Sequence, residues 1–178
     1  MLGPKTLSQS LPFHLSTAGE AIVKKNKVLL LGIGNPLLTD DGLGIIAARE
    51  ISEKKLAGVD FEEATASGIE VMEMMIDYEK VVIVDATMFP GREPGEIMRL
   101  QEEYFSHTVH GSSPHGVNLS TAIALGRKTS PERMPREIVF IAMQAEDVST
   151  FSEKMTAKVN KKLPDLIDLV VKEIKKST

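Results

Sequence analysis

Two adjacent carboxylates follow a glycine-rich turn in the stretch GIGNPLLTDDGLG, residues 32–44. Asp40 and Asp41 stand where a phosphate cradle needs positive charge. A dinucleotide fingerprint needs three glycines, and its third position here is Leu37; no Lys-Ser or Lys-Thr follows to make a P-loop. Two further residues stand in comparable places. Asp85 closes the apolar run VVIV, and His115 follows Pro114 just ahead of an apolar helix candidate. If the strand ends share one edge, Asp41, Asp85 and His115 reach one crevice. Two carboxylates and an imidazole suit a divalent first-row ion such as nickel or zinc, with positions left for water or substrate. Each residue also has an ordinary use. Asp40 or Asp41 can cap a helix, worth about 1 kcal/mol; Asp85 can fix a turn; His115 can be an exposed loop histidine. Ser112 and Ser113 lack the G-x-S-x-G elbow of a serine hydrolase.

The elements that must position these groups are legible from periodicity. KVLLLGIG and REIVFIAMQA are unbroken apolar runs of the kind buried on both faces of a parallel sheet, and KVVIVDATMF is the clearest strand of all. GVDFEEAT predicts a shorter strand. A helix is expected to begin near Gly42, with Ile45, Ile46, Ala48, Ile51 and Leu56 on its apolar face. GIEVMEMMIDYE and GVNLSTAIALGRK predict two more. PGREPGEIMRL reads as a turn and a short strand, antiparallel at an edge. Residues 101–115 read as a polar loop holding three of the four histidines. The chain from Ser152 onward is amphipathic, and Pro164 is expected to kink that helix or open a second one. This alternation predicts an α/β protein, a three-layer α/β/α sandwich with a twisted, mostly parallel sheet. Such sheets bind ligands at their carboxyl edge.

The bulk composition narrows the function. A chain of 178 residues suits a single core, here a single domain over 27–178 behind an N-terminal extension, 1–26, expected to be partly helical around Glu20 to Lys24. There is no cysteine, so thiolate metal sites and cysteine nucleophiles are excluded. The formal charge of −4 and the lack of a basic stripe argue against nucleic acid. No apolar stretch reaches the roughly 18 residues of a membrane span. The N-terminus lacks a signal-peptide pattern, so the expected location is the cytoplasm.

The residues resemble a known family. GIGNPLLTDDGLG is similar to the signature of the [NiFe]-hydrogenase maturation endopeptidases, G-x-G-N-x-L-x-x-D-[DE]-G-x-G. VVIVDA resembles the second block of that family and SSPHGVNL the third, in the same order, with Asp85 and His115 30 positions apart and PGEI between them. The resemblance covers about residue 27 to the C-terminus. It implies an α/β/α fold of the phosphorylase/hydrolase-like kind. It implies an enzyme that removes the C-terminal peptide of a hydrogenase large-subunit precursor after nickel insertion. The metal-binding and catalytic residues then fall on Asp41, Asp85 and His115, with Asp40 orienting Asp41 or the loop. Gly34 and Asn35 shape the loop, and Asn35 is available to the substrate backbone. The resemblance further implies that nickel arrives in the precursor and that zinc or cadmium could substitute in vitro, and a monomer or weak oligomer is expected, with the 27–178 domain as the catalytic one. The family position matching Asp41 is often glutamate, with aspartate in the branch serving formate-linked and energy-converting membrane-bound hydrogenases. One departure is clear: the family's D-G-G-T-x-G turn is replaced by Glu63-Ala64-Thr65-Ala66-Ser67-Gly68, which bears on the choice of precursor. Two other readings remain at this point. One is a non-catalytic nickel-sensing chaperone. The other is a hydrolase such as peptidyl-tRNA hydrolase, whose GLGNPG loop is similar, although Leu37 and the acidic pair depart from it.

Overall fold

The computed structural model describes residues 28–65, 68–102 and 118–176. The N-terminal extension, most of the expected polar loop and His115 lie outside these residues. The first expected strand, β1 (Val28–Ile33), is buried at every position. It leads through a 3-10 turn, Thr39–Gly42, into α1 (Leu43–Ser52). β2 (Val59–Ala64) and α2 (Gly68–Met75) follow, then β3 (Lys80–Thr87), β4 (Ile97–Leu100), α3 (Leu119–Thr129), β5 (Glu137–Gln144) and α4 (Ala157–Lys175).

The five strands form one sheet in the order β2-β1-β3-β5-β4. All neighbours are parallel except β4, which pairs antiparallel with β5 at the edge, as its sequence predicts. Alternation along each strand divides the apolar side chains between two cores. Leu30, Val82, Val84 and Ile141 meet α1 and α4 on one face. Leu29, Leu31, Ile83 and Phe140 meet α2 and α3 on the other. The result is the expected α/β arrangement, a mixed, mostly parallel sheet between helices.

Three expectations change. α1 begins at Leu43 with Gly42 at its N-cap and no side-chain cap, so neither Asp40 nor Asp41 caps it. The intervening 3-10 turn has turned both carboxylates to other donors. β3 runs two residues past Asp85, which is therefore a strand residue and not a turn residue. α4 starts at Ala157 and passes through Pro164 as a single helix. An interior proline costs about 3 kcal/mol. The stripe Val159, Leu163, Leu166, Ile167, Val170 and Ile174, all buried against the sheet, offsets that cost.

The amino ends of β3 and β5 are tied to α4 by a buried ion network. Lys80 Nζ donates to Glu173 Oε1 and to the Glu173 carbonyl, both at 3.1 Å, and lies 3.2 Å from Glu137. Arg99 and Lys176 reach the same Glu173 carboxylate. Burial raises the Glu173 carboxyl, but hydrogen bonds from Arg99, Lys176 and Lys80 outweigh it and bring it down to about 2. A carboxyl depressed on folding stabilises the protein above its unfolded value, 4.5, and that contribution is lost as pH falls toward 2. Replacing Glu173 by Gln leaves the buried Lys80 ammonium with Glu137 as its one carboxylate partner among the described residues and should cost roughly 2–3 kcal/mol in urea unfolding at pH 7. The difference from wild type should shrink steadily between pH 5 and pH 2.

Candidate active site

The strand order reverses direction between β1 and β3: from β1 the chain goes first to β2 on one side, then to β3 on the other. In a parallel sheet the connections at such a point leave toward opposite faces and open a crevice at the carboxyl ends. Both candidate carboxylates are there. Asp41 lies in the turn that follows β1, and Asp85 is on β3.

Packing forces Asp41 into that position. A Cβ on Gly44 would overlap the carbonyl oxygens of Ile33 and Val84, so α1 begins in contact with the carboxyl ends of β1 and β3. Gly34 adopts φ +146°, and a Cβ there would overlap the Asp41 carbonyl. No other residue allows this approach. The loop between them closes on itself: Asn35 N donates to Asp41 Oδ2 at 2.9 Å, Leu37 N to Asn35 Oδ1 at 3.0 Å, and Leu38 N to the Asn35 carbonyl at 3.0 Å. Asn35 thus ties the loop together through both its backbone and its amide. Asp41 is 3% exposed.

Asp85 is 2% exposed, and its Oδ1 accepts from Ala86 N at 2.7 Å. Alternation from Val81 and Ile83 sets its side chain on the α2/α3 face. Thr87 follows on the same face, fully buried, and its hydroxyl has no hydrogen-bond partner among the described residues. A buried hydroxyl left unbonded costs about 1–3 kcal/mol. Sequence reading passed over Thr87 because a threonine at the end of a β-branched run looks like ordinary strand composition.

Asp40 does different work. It is 0% exposed, and its carboxylate accepts four hydrogen bonds. Oδ2 receives Glu146 N (2.9 Å), Asp147 N (3.1 Å) and Thr156 Oγ1 (2.9 Å), while Oδ1 receives Thr156 N (2.7 Å). Thr156 is the N-cap residue of α4, so the carboxylate also sits at the positive end of that helix. A parallel bridge between Leu38 and Ser152 runs beside this clasp. Asp147 itself is held below the usual carboxylate range, first by the Thr150 side chain and then by the N–H groups of Ser149 and Thr150. Asp40 therefore orients the loop by fastening it to the β5–α4 connection. Thr156, its main partner, was missed because the amphipathic pattern extends back to Ser152 and hides the true helix start.

His115 lies outside the described residues, and among the described residues no group of three His, Asp or Glu side chains is placed to hold a metal ion. α3, which follows His115, is capped by Asn118, whose side chain accepts from Thr121 N at 2.8 Å, and packs on Asp85's face of the sheet. Glu63, in the altered family turn, is drawn the other way: Arg49 of α1 grips it with two hydrogen bonds, at 2.8 and 2.7 Å.

Known proteins resemble this chain over most of its length. A family model described as hydrogenase maturation protease matches residues 47–173, a range that contains Asp85 and His115 and begins just after the acidic loop. The hydrogenase 2 maturation protease of Escherichia coli is 24% identical, aligned over 68% of this chain and 75% of its own length. A putative hydrogenase maturation protease of Methanocaldococcus jannaschii is 27% identical over 86% of this chain and 100% of its own. Among solved structures, the hydrogenase maturating endopeptidase HybD of E. coli superposes with a TM-score of 0.69 at 22% identity, covering 85% of this chain and 93% of that one. A hydrogenase 2 maturation peptidase from a Thaumarchaeota archaeon gives 0.58 at 25% identity, covering 84% and 98%.

The clasp makes a sharp expectation. Replacing Asp40 by Asn puts an amide where only acceptors fit and should cost roughly 2–3 kcal/mol. Amide exchange at Glu146, Asp147 and Thr156 should accelerate more than exchange at the β1 and β3 amides. Uniform acceleration across the protein would show that the clasp is not a local device.

Proposed function

Because the chain belongs to the hydrogenase maturation protease family, we propose that it is the nickel-dependent endopeptidase that trims the C-terminal peptide from a [NiFe]-hydrogenase large-subunit precursor once nickel has been inserted. The chain is a peptide hydrolase by that membership. The observation that carries the finer reading is the pair of buried carboxylates, Asp41 and Asp85, at the crevice where the strand order reverses.

Nickel is here a part of the substrate, delivered by the precursor. The donor set suits it. Asp41 and Asp85 are each fixed through one oxygen by a backbone N–H, so their orientation is set before the precursor arrives. The Thr87 hydroxyl adds a third buried oxygen on Asp85's side. His115 is assigned by its motif as the nitrogen donor. Carboxylate and imidazole together take up divalent nickel, and zinc or cadmium would substitute in vitro. A bound divalent ion supplies Lewis-acid polarisation and a fixed reference point for the scissile bond. The residues of this chain complete the coordination of that ion, so a precursor without nickel docks poorly and escapes cleavage. Asp40 acts at one remove, by holding the loop that carries Asp41. Hydrolysis then adds one water across the peptide bond: its oxygen bonds to the carbonyl carbon as the C–N bond breaks, one proton goes to the leaving amine nitrogen, and the other is released as the new carboxylic acid ionises.

The test is the mass of a large-subunit precursor after incubation with this protein, with and without nickel. Loss of a C-terminal peptide only from the nickel-loaded form is expected. Asp41→Asn and Asp85→Asn keep an oxygen for Asn35 N and Ala86 N but remove the charge. Each, like His115→Ala, should weaken the nickel-loaded complex by at least about tenfold and abolish cleavage, with the thermal midpoint little changed. Cleavage that persists in all three variants rules out this site. A precursor that is bound but never cut favours the nickel-sensing chaperone instead.

A further inference from the structure

The sheet ends on β4, whose second edge has no strand partner among the described residues. The backbone of that edge has a defined phase. Gln144 N donates to the Glu96 carbonyl at 2.9 Å, and Gly95 N donates to the Gln144 carbonyl at 2.8 Å. Glu96 therefore stands opposite Gln144, in register with the pairs Ile97↔Met143 and Met98↔Ala142 that follow. Antiparallel ladders alternate bonded and non-bonded residues. The inward bonds thus fall to Met98 and Leu100, and the N–H and C=O of Ile97 and Arg99 turn to the outer edge.

A cleft of about 600 Å³ runs along this edge. Phe89 and Pro90 line it from the β3–β4 connection, Met98 and Leu100 from β4, and Arg92 forms part of its wall. That volume lies within the range of ordinary binding pockets. The register links it to the candidate active site: Asp85 pairs with Ala142, and Ala142 pairs with Met98, so the three form one row across the sheet. Alternation puts all three side chains on the α2/α3 face, where Phe140 and Leu100 also lie.

We propose that the outer edge of β4 and this cleft hold an extended segment of the precursor polypeptide by strand addition. The identity of the occupant rests on the proposed function. A protease must bind its substrate as an extended chain near the scissile bond, and this edge, without a strand partner among the described residues, lies beside a cleft of mixed apolar and basic lining on Asp85's own face. In strand addition the main chain supplies affinity and alternate side chains in a pocket supply selectivity. The opposite edge, β2, is a poorer host. Its exposed Glu62 and Glu63 are the kind of charged edge residues that discourage pairing. A strand added beyond β4 would lie three strand spacings from β3, about 14 Å, a gap that about four residues of extended chain span. The edge therefore reads residues about four or more positions from the cleaved bond.

The experiment follows amide exchange in this protein with nickel-free large-subunit precursor, which it does not cleave, at concentrations high enough to saturate the complex that the missing nickel weakens. In parallel, kinetics on the nickel-loaded precursor compare wild type with Met98→Gln. Exchange at Ile97 and Arg99 should slow about tenfold or more on adding precursor. Met98→Gln should raise KM about tenfold more than it lowers kcat. Unchanged exchange at both amides overturns the inference. If exchange slows but the nickel-loaded precursor is never cut, the edge is a docking site and the proposed function falls. If cleavage occurs without slowing, the function stands and this inference falls. Slowing that tracks the protein's own concentration without precursor means that the edge pairs with a second copy, which also overturns it.

Discussion

A buried carboxylate is tolerated only when its oxygens are satisfied, and Asp40 meets that condition with four donors from a segment more than 100 residues away. Stranding such a charge costs several kcal/mol, so the loop after β1 and the connection from β5 into α4 must fold against each other or not at all. The same loop is pinned at its other side by Gly34, where the chain passes too close to Asp41 for any side chain. Between these two constraints Asp41 has little freedom. Its neighbour's clasp and its own bond from Asn35 N together decide where it stands.

The sheet supplies the rest. β1 and β3 are buried along their whole length, and their parallel register brings the ends of both strands to one level. The reversal of strand order between them opens the crevice, and α1 starts directly on its floor. The ion network around Glu173 lies at the other end of β3, so the charges that stabilise the sheet are kept away from Asp41 and Asp85.

Much of this was readable in the sequence, because the signals were local. Continuous apolar runs marked β1, β3 and β5; alternating helical stripes marked the four helices; PGEI announced the antiparallel edge strand. The adjacent pair Asp40-Asp41 was visible too, but its division of labour was not. Both residues looked able to cap a helix, and only tertiary donors separate them: Thr156 binds Asp40 and Asn35 binds Asp41. Of the two outcomes expected at Pro164, a second helix does not occur: the local cost of the proline is real, but burial of the α4 stripe carries one helix through it. Thr87 gave no signal, since an unbonded hydroxyl is defined by what surrounds it in space. The family signature carried the reading of His115, which lies outside the described residues, and of the precursor.

The central claim is that Asp41, Asp85 and His115 complete the coordination of a nickel ion that another protein brings. Nickel-edge X-ray absorption on the precursor, alone and in complex with this protein, addresses it directly. The account predicts that complex formation adds oxygen and nitrogen neighbours to the nickel, and that these are diminished when Asp85 is replaced by Asn. A nickel spectrum identical in the free and bound precursor would contradict it.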